Sequence, residues 1–145
     1  MDKDILYGYI KYKDRKFEIY YRPKLKDTVC QAEWRKGQYH KLIVGKIFIN
    51  SIEDEDIEPL IYHELFHLLL ECPDEYQADK FACQQVGFAK FEKSINKYCR
   101  KLLCTLLRYK SSKVIYDSYC RYRLDAVEGT QRDVFADKYE IEIIE

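Results

Sequence analysis

Long apolar runs are missing from this chain of 145 residues, and so is net charge: Lys+Arg and Asp+Glu both number 25. No window approaches the roughly 18 consecutive apolar residues that a membrane-spanning helix needs, so no span is expected. The even charge balance leaves no electrostatic footprint for nucleic acid, which is not expected as a partner. The N-terminal MDKDILYG lacks the apolar stretch of a secretory signal, so the expected compartment is cytoplasmic. Glycine, at 5, and proline, at 3, are scarce, which suits a compact fold with short loops. Repeats, low-complexity segments and linkers are also missing, and one domain over 1–145 is expected. None of the six cysteines (Cys30, Cys72, Cys83, Cys99, Cys104, Cys120) makes a CxxC pair. Buried free thiols are the expectation for them, since a disulfide framework belongs to small secreted domains.

What is present is a core's worth of apolar residues, 47% of the chain, which argues against disorder. The first part, 1–52, reads as a small, mostly antiparallel sheet. ILYGYIKYK and FEIYYRP alternate apolar and polar on either side of DRK, as a hairpin does. TVCQAEW and HKLIVGKIFIN read as further strands around an RKGQ turn, and the last one, ending in KIFINSI, is the most apolar of the set.

The region 53–129 reads as helical. Acidic residues and Pro59 in SIEDEDIEPL mark a helix N-terminus, and a helix is expected from about Asp56 to Glu71. Cys72-Pro73-Asp74 stops it. Asp74 is placed to cap a second helix that reaches about Gly87. Phe91, Ile95, Tyr98, Leu102, Leu106 and Tyr109 recur at helical spacing. A fourth helix is expected from about Val114 to Val127. The tail 130–145 ends in KYEIEIIE, which alternates like a strand. The fold class is therefore α+β, a small sheet followed by about four helices.

One stretch carries chemistry: IYHELFHLLLECPDEYQADKFA, residues 61–82. His63 and His67 are four apart, so a helix presents both imidazoles on one face. They are placed to share a metal ion, and Glu64 beside them is placed to reach a water on it. Zinc suits such ligands, makes its water acidic enough to attack near neutral pH, and leaves a carboxylate to carry the proton. This is the arrangement of HExxH metallopeptidases. The plainer alternative is a pair of satisfied core histidines on a half-buried helix.

Zinc hydrolysis needs a third protein ligand, and EYQAD offers one. Glu75 and Asp79 share a face of the second helix with Ala78 and Ala82, whose small side chains let two helices approach. Glu75 is the candidate third ligand. Asp79 is the candidate outer partner, accepting a ligand histidine's N–H and fixing its tautomer. A solvated helix face is the ordinary alternative, but alanines rather than lysines accompany these two.

HELFH followed by EYQADKFACQQVG resembles the gluzincin peptidases of the CAAX-prenyl-protease and HtpX type, in a minimal, minigluzincin-like form. The pattern matches at His63, Glu64, His67, Glu75, Ala78, Asp79, Ala82 and Gly87. The resemblance implies a zincin-like fold, one Zn²⁺ per chain on His63, His67 and Glu75, Glu64 as general base and acid, and Asp79 behind a ligand. Farther on, DSYCRYRL stands where the family has His-Pro, four residues and Arg. Asp117 and Ser118 replace the His-Pro pair, while Arg123 fits as a cleft-wall candidate. Tyr119 or Arg121 is left to stabilise an oxyanion, with packing tyrosines and a surface arginine as the alternative. His40 reads as a surface histidine.

The expected function is a zinc-dependent metalloendopeptidase acting on a protein or peptide. An extended substrate would pair with an edge strand beside the cleft, for which KIFIN is the candidate. An ImmA-like peptidase cleaving a regulatory protein is the nearest rival, since those enzymes share the short gap between motifs. A catalytically idle zincin-fold binding module is the third reading. The tail either joins the sheet or lies in the cleft and keeps the enzyme latent.

Overall fold

The computed structural model describes residues 4–26, 28–99, 113–130 and 140–143. It is an α+β fold, as expected. β1 (Ile5–Tyr12) and β2 (Arg15–Tyr21) form the hairpin, closed at Lys13-Asp14 with Lys13 at φ 53°. β3 (Cys30–Arg35) and β4 (Tyr39–Val44) pair antiparallel around a turn at Gly37, whose φ of 74° favours glycine. The sheet order is β3-β4-β2-β1-β5, and β2 runs parallel to β4 while the other pairings are antiparallel. β3 is therefore one edge of the sheet among the described residues, and the Ala32 N–H on its outer side meets Glu64.

β5 (Glu140–Ile143) is the alternating tail. It adds to β1, from Gly8 opposite Ile143 to Lys11 opposite Glu140, at the edge farthest from β3. The described part of the tail is thus a sheet strand and lies outside any cleft beside β3.

KIFIN is not a strand. Lys46–Asn50 is a short helix, α1, with Phe48 buried. A run of three apolar residues, Ile47, Phe48 and Ile49, does not distinguish a buried strand from a buried helical turn by pattern. Gly45 decides it. Its N–H donates to the Val29 carbonyl at 3.1 Å, and a Cβ there would sit 2.1 Å from the Leu25 carbonyl oxygen. The chain leaves the sheet where only glycine fits against the 22–29 loop. The edge strand beside the site is β3.

α2 (Glu58–Leu70) follows a 3-10 turn over Glu55–Ile57, with Pro59 in its first turn. Its inner face buries Ile61, Tyr62, Leu65 and Leu68 against Ile10, Ile19, Leu42 and Val44 of the sheet. Each such burial is worth about 1.5–3 kcal/mol. The helix ends at Glu71 in the left-handed region, φ 49°. That unusual turn is held from the sheet side: Arg15 donates to the Leu69 carbonyl at 2.9 Å, and His40 Nε2 lies 2.7 Å from Glu71 Oε1. His40 thus anchors the end of α2 and does not line the metal-side cleft.

α3 (Glu75–Val86) starts at Asp74, whose side chain accepts the Gln77 N–H at 3.1 Å, and stops at Gly87, φ 88°. Ala78 and Ala82 are fully buried, and they bring α3 against α2 as their size allows. α4 (Phe88–Ser94) continues into a π-helical turn over Ile95–Cys99. The expected helix beyond it, with Leu102, Leu106 and Tyr109, falls outside the described residues. α5 (Lys113–Val127) packs on α3, with Leu124 buried. Among the described cysteines, Cys30, Cys72, Cys83 and Cys120 are free thiols, and burial pushes Cys83 up to about 12.

The acidic stretch before α2 is tied to the π-helical turn. Asp54 accepts from Lys97 and from the Tyr98 hydroxyl, and Asp56 accepts from Lys97 at 3.2 Å. Lys97 and Tyr98 hold the Asp54 carboxyl down at about 2. A depressed folded-state pKa stabilises above the unfolded value and is lost as pH falls through the folded one. The gap in urea midpoint between wild type and Asp54→Asn is therefore expected to be constant above about pH 4 and to close as pH approaches about 2. An unchanged gap at acid pH would show that the carboxylate charge is not what ties this loop.

Candidate metal centre

α2 and α3 meet as a tight hairpin, and the meeting places His63, His67 and Glu75 together. Their ligand atoms all lie within 4.8 Å of one another. His63 Nε2 and His67 Nε2 are 3.3 Å apart. The two Glu75 oxygens divide between them, Oε2 at 3.0 Å from His63 Nε2 and Oε1 at 3.0 Å from His67 Nε2.

The other nitrogen of each ring is anchored. His63 Nδ1 lies 2.7 Å from Asp79 Oδ1, and His67 Nδ1 lies 2.6 Å from the Cys72 carbonyl. Both partners are acceptors, so each Nδ1 donates, and in the neutral ring Nε2 carries a lone pair. With both rings neutral, two lone pairs and a carboxylate converge, and a cation between them, a proton on an Nε2 or a metal ion, holds the set together. The spacing fits a metal: nitrogens about 2.0–2.1 Å from a shared ion and 3.3 Å from each other subtend about 107°, near the tetrahedral angle. The donor set, two imidazoles and a carboxylate, is one that zinc takes in catalytic sites.

The electrostatics agree. Burial works against charge on His63, but Asp79 and Glu75 outweigh it and hold the ring up at about 9. His67 is raised too, against its burial, by Glu75 and the Cys72 carbonyl. Bonds to both rings hold Glu75 far below the usual carboxylate range. Surroundings that attract a proton so strongly attract a metal ion, which displaces that proton on binding.

Glu64 sits beside the triad. Its Oε1 is 3.9 Å from His63 Nε2, and its Oε2 accepts the Ala32 N–H of edge strand β3 at 2.9 Å. Burial raises its pKa, the direction a general base at neutral pH requires.

Asp79 has a second partner. Arg123 of α5 reaches it with Nε, 2.9 Å from Oδ2, and with Nη2 on Oδ1. Against its own burial, Asp79 is held low by Arg123 and then His63. Arg123 therefore stands behind Asp79 and lines the cavity beside Glu64; its guanidinium is engaged with a carboxylate. Arg121 is exposed and pairs with Asp125 at 3.4 Å along its own helix, away from the triad. The side chain of Tyr119 lies outside the described residues.

Sequence reasoning missed two elements of the site. The Cys72 carbonyl is a backbone group, and no side-chain pattern encodes it. Trp34, the single tryptophan, lies nearly parallel to His67, 9° between planes and 6.1 Å between ring centres. The one signal for it was its place in TVCQAEW, two residues beyond Ala32 on the same side of the strand. Compared with protein-family models, curated proteins and solved structures, the chain gives no significant match.

Proposed function

We propose that this chain is a zinc-dependent endopeptidase of zincin-like architecture, with His63, His67 and Glu75 holding the ion and Glu64 moving the proton. The observation that carries this is the convergence of two imidazole nitrogens and a carboxylate, each ring fixed from behind, with a buried carboxylate beside them. The gluzincin-like HELFH and EYQAD motifs support the same assignment.

Zinc bound there supplies an acidified water and a Lewis acid for the scissile carbonyl. The chain's own residues do the rest. Glu64 takes the water's proton on a carboxylate oxygen and returns it to the leaving amine nitrogen. Asp79 and the Cys72 carbonyl keep each imidazole turned with Nε2 inward. β3, whose outer edge meets Glu64 at the Ala32 N–H, is the strand along which an extended peptide backbone lies, which brings the scissile bond alongside Glu64. Trp34 covers one face of His67 and limits water there.

Metal content tests this directly. Purified wild type is expected to carry about one zinc per chain by elemental analysis. Glu75→Ala is expected to carry much less under the same conditions. A wild type without zinc, even after zinc is added back, would sink the proposal and leave a binding module on this fold.

A further inference from the structure

The two imidazoles are fixed by different means. His63 leans on a side chain, Asp79, which Arg123 holds in turn. His67 leans on a backbone group, the Cys72 carbonyl, 2.6 Å from its Nδ1. A backbone acceptor has no side chain of its own to aim it. Its direction is set by the dihedral angles of the turn that carries it.

That turn has one adjustable joint. Cys72 precedes Pro73, which keeps it out of the helical region. Glu71 is the residue that swings the chain off α2, and it does so in the left-handed region, φ 49° and ψ 43°. Glycine takes this conformation freely, whereas a residue with a Cβ is strained in it. The turn also closes on His67 itself. The Glu71 and Cys72 N–H groups both donate to the His67 carbonyl, the second at 3.3 Å. The carbonyl and the ring of His67 are thus both bonded to one strained turn.

A strained residue keeps its conformation only where its surroundings hold it. Here His40 does so. Its Nε2 donates to Glu71 Oε1 at 2.7 Å, with the two side chains only 24% and 27% exposed. Phe17 packs edge-on to the His40 ring, 6.1 Å between centres. His40 also stands directly opposite Trp34 on the β3–β4 ladder, and Trp34 lies nearly parallel to the His67 ring. One cross-strand pair therefore reaches His67 twice, Trp34 at the ring's face and His40 through the turn behind Nδ1.

Resting on the metal reading of the site, we infer that His40 is a positioning residue for His67. It pins Glu71 in the left-handed turn, and the turn aims the Cys72 carbonyl. The carbonyl keeps the proton on Nδ1 and Nε2 turned toward the ion. The sheet thereby sets a metal ligand's tautomer from outside the cleft.

The test is a set of variants read by zinc competition titration and by the visible absorption of cobalt-loaded protein. Cobalt is taken by the same donor types, and its visible bands follow their arrangement. His40→Ala is expected to weaken zinc binding by about tenfold, as loss of an outer partner does, and to change the cobalt spectrum. His40→Gln, whose amide N–H replaces the Nε2–H, is expected to recover most of both. At the joint, Glu71→Gly is expected to bind zinc about tenfold more tightly than Glu71→Ala, because glycine keeps the left-handed turn unaided. Adding His40→Ala to Glu71→Gly is expected to change nothing further. Circular dichroism of the metal-free proteins checks that each variant folds. Equal affinity and equal cobalt spectra for wild type and His40→Ala overturn the inference. A full loss from His40→Ala in the Glu71→Gly background overturns it too, since His40 then acts by another route. If His40→Ala does not fold, the comparison at position 71 decides, and equal affinities of the glycine and alanine variants overturn the inference. A wild type that binds neither zinc nor cobalt overturns the metal reading instead, and the inference falls with it.

Discussion

Glu64→Gln, loaded with zinc, is expected to lose peptide cleavage by about 10²–10⁴-fold, the contribution a positioned general base makes. Its metal content is expected to match wild type, because Glu64 is not among the three groups whose ligand atoms converge. The geometry makes glutamine a clean probe. One Glu64 oxygen accepts the Ala32 N–H at 2.9 Å, and the glutamine carbonyl keeps that bond. The other position becomes an amide nitrogen, which takes no proton from water. Glu64→Ala is a poorer choice, because it also strips the edge strand's N–H of its partner. Measuring zinc and cleavage on one preparation separates the outcomes. A zinc-loaded variant that cleaves normally removes Glu64 from the mechanism. Cleavage absent from wild type as well, with zinc present, points to an idle site.

The site was legible in sequence where it depends on helical spacing. His63 with His67, and Glu75 with Asp79, are each four apart, and α-helix geometry alone puts each pair on one face. The hairpin between them was legible too, since Pro73, Asp74 and Gly87 are stop and start signals with a local cause. KIFIN was not legible, because the close approach that requires glycine at the end of β4 is to the Leu25 carbonyl, twenty residues before Gly45. The parallel pairing of β2 with β4 was hidden for the same reason: register between distant strands is a tertiary outcome that neither strand's own pattern carries. Arg123 was visible only as a candidate wall residue. Its bond to Asp79 spans 44 positions and forms because α5 packs on α3.

That bond separates two residues which the sequence pattern treats as a pair. Glu75 and Asp79 are both acidic and both on α3, yet the Glu75 side chain is 74% exposed and that of Asp79 is 6% exposed. Glu75→Ala is therefore expected to remove zinc and to cost the metal-free protein less stability than Asp79→Ala does, since the Glu75 carboxylate is largely screened by solvent. Asp79→Ala is expected to act on both properties. His63 loses the acceptor that fixes its tautomer, and zinc binding should weaken by about 10–100-fold. Arg123, its side chain 14% exposed, loses both of its bonds to Asp79, and breaking a pair in a largely closed site costs more than breaking an exposed one. Zinc competition titrations and urea unfolding of metal-free protein, run on both variants, resolve the two effects. If Asp79→Ala unfolds like wild type and loses only metal, Arg123 is not held by Asp79 in solution. If Glu75→Ala is the less stable of the two, burial has been assigned to the wrong carboxylate, and Glu75 holds the hairpin together as well as the ion.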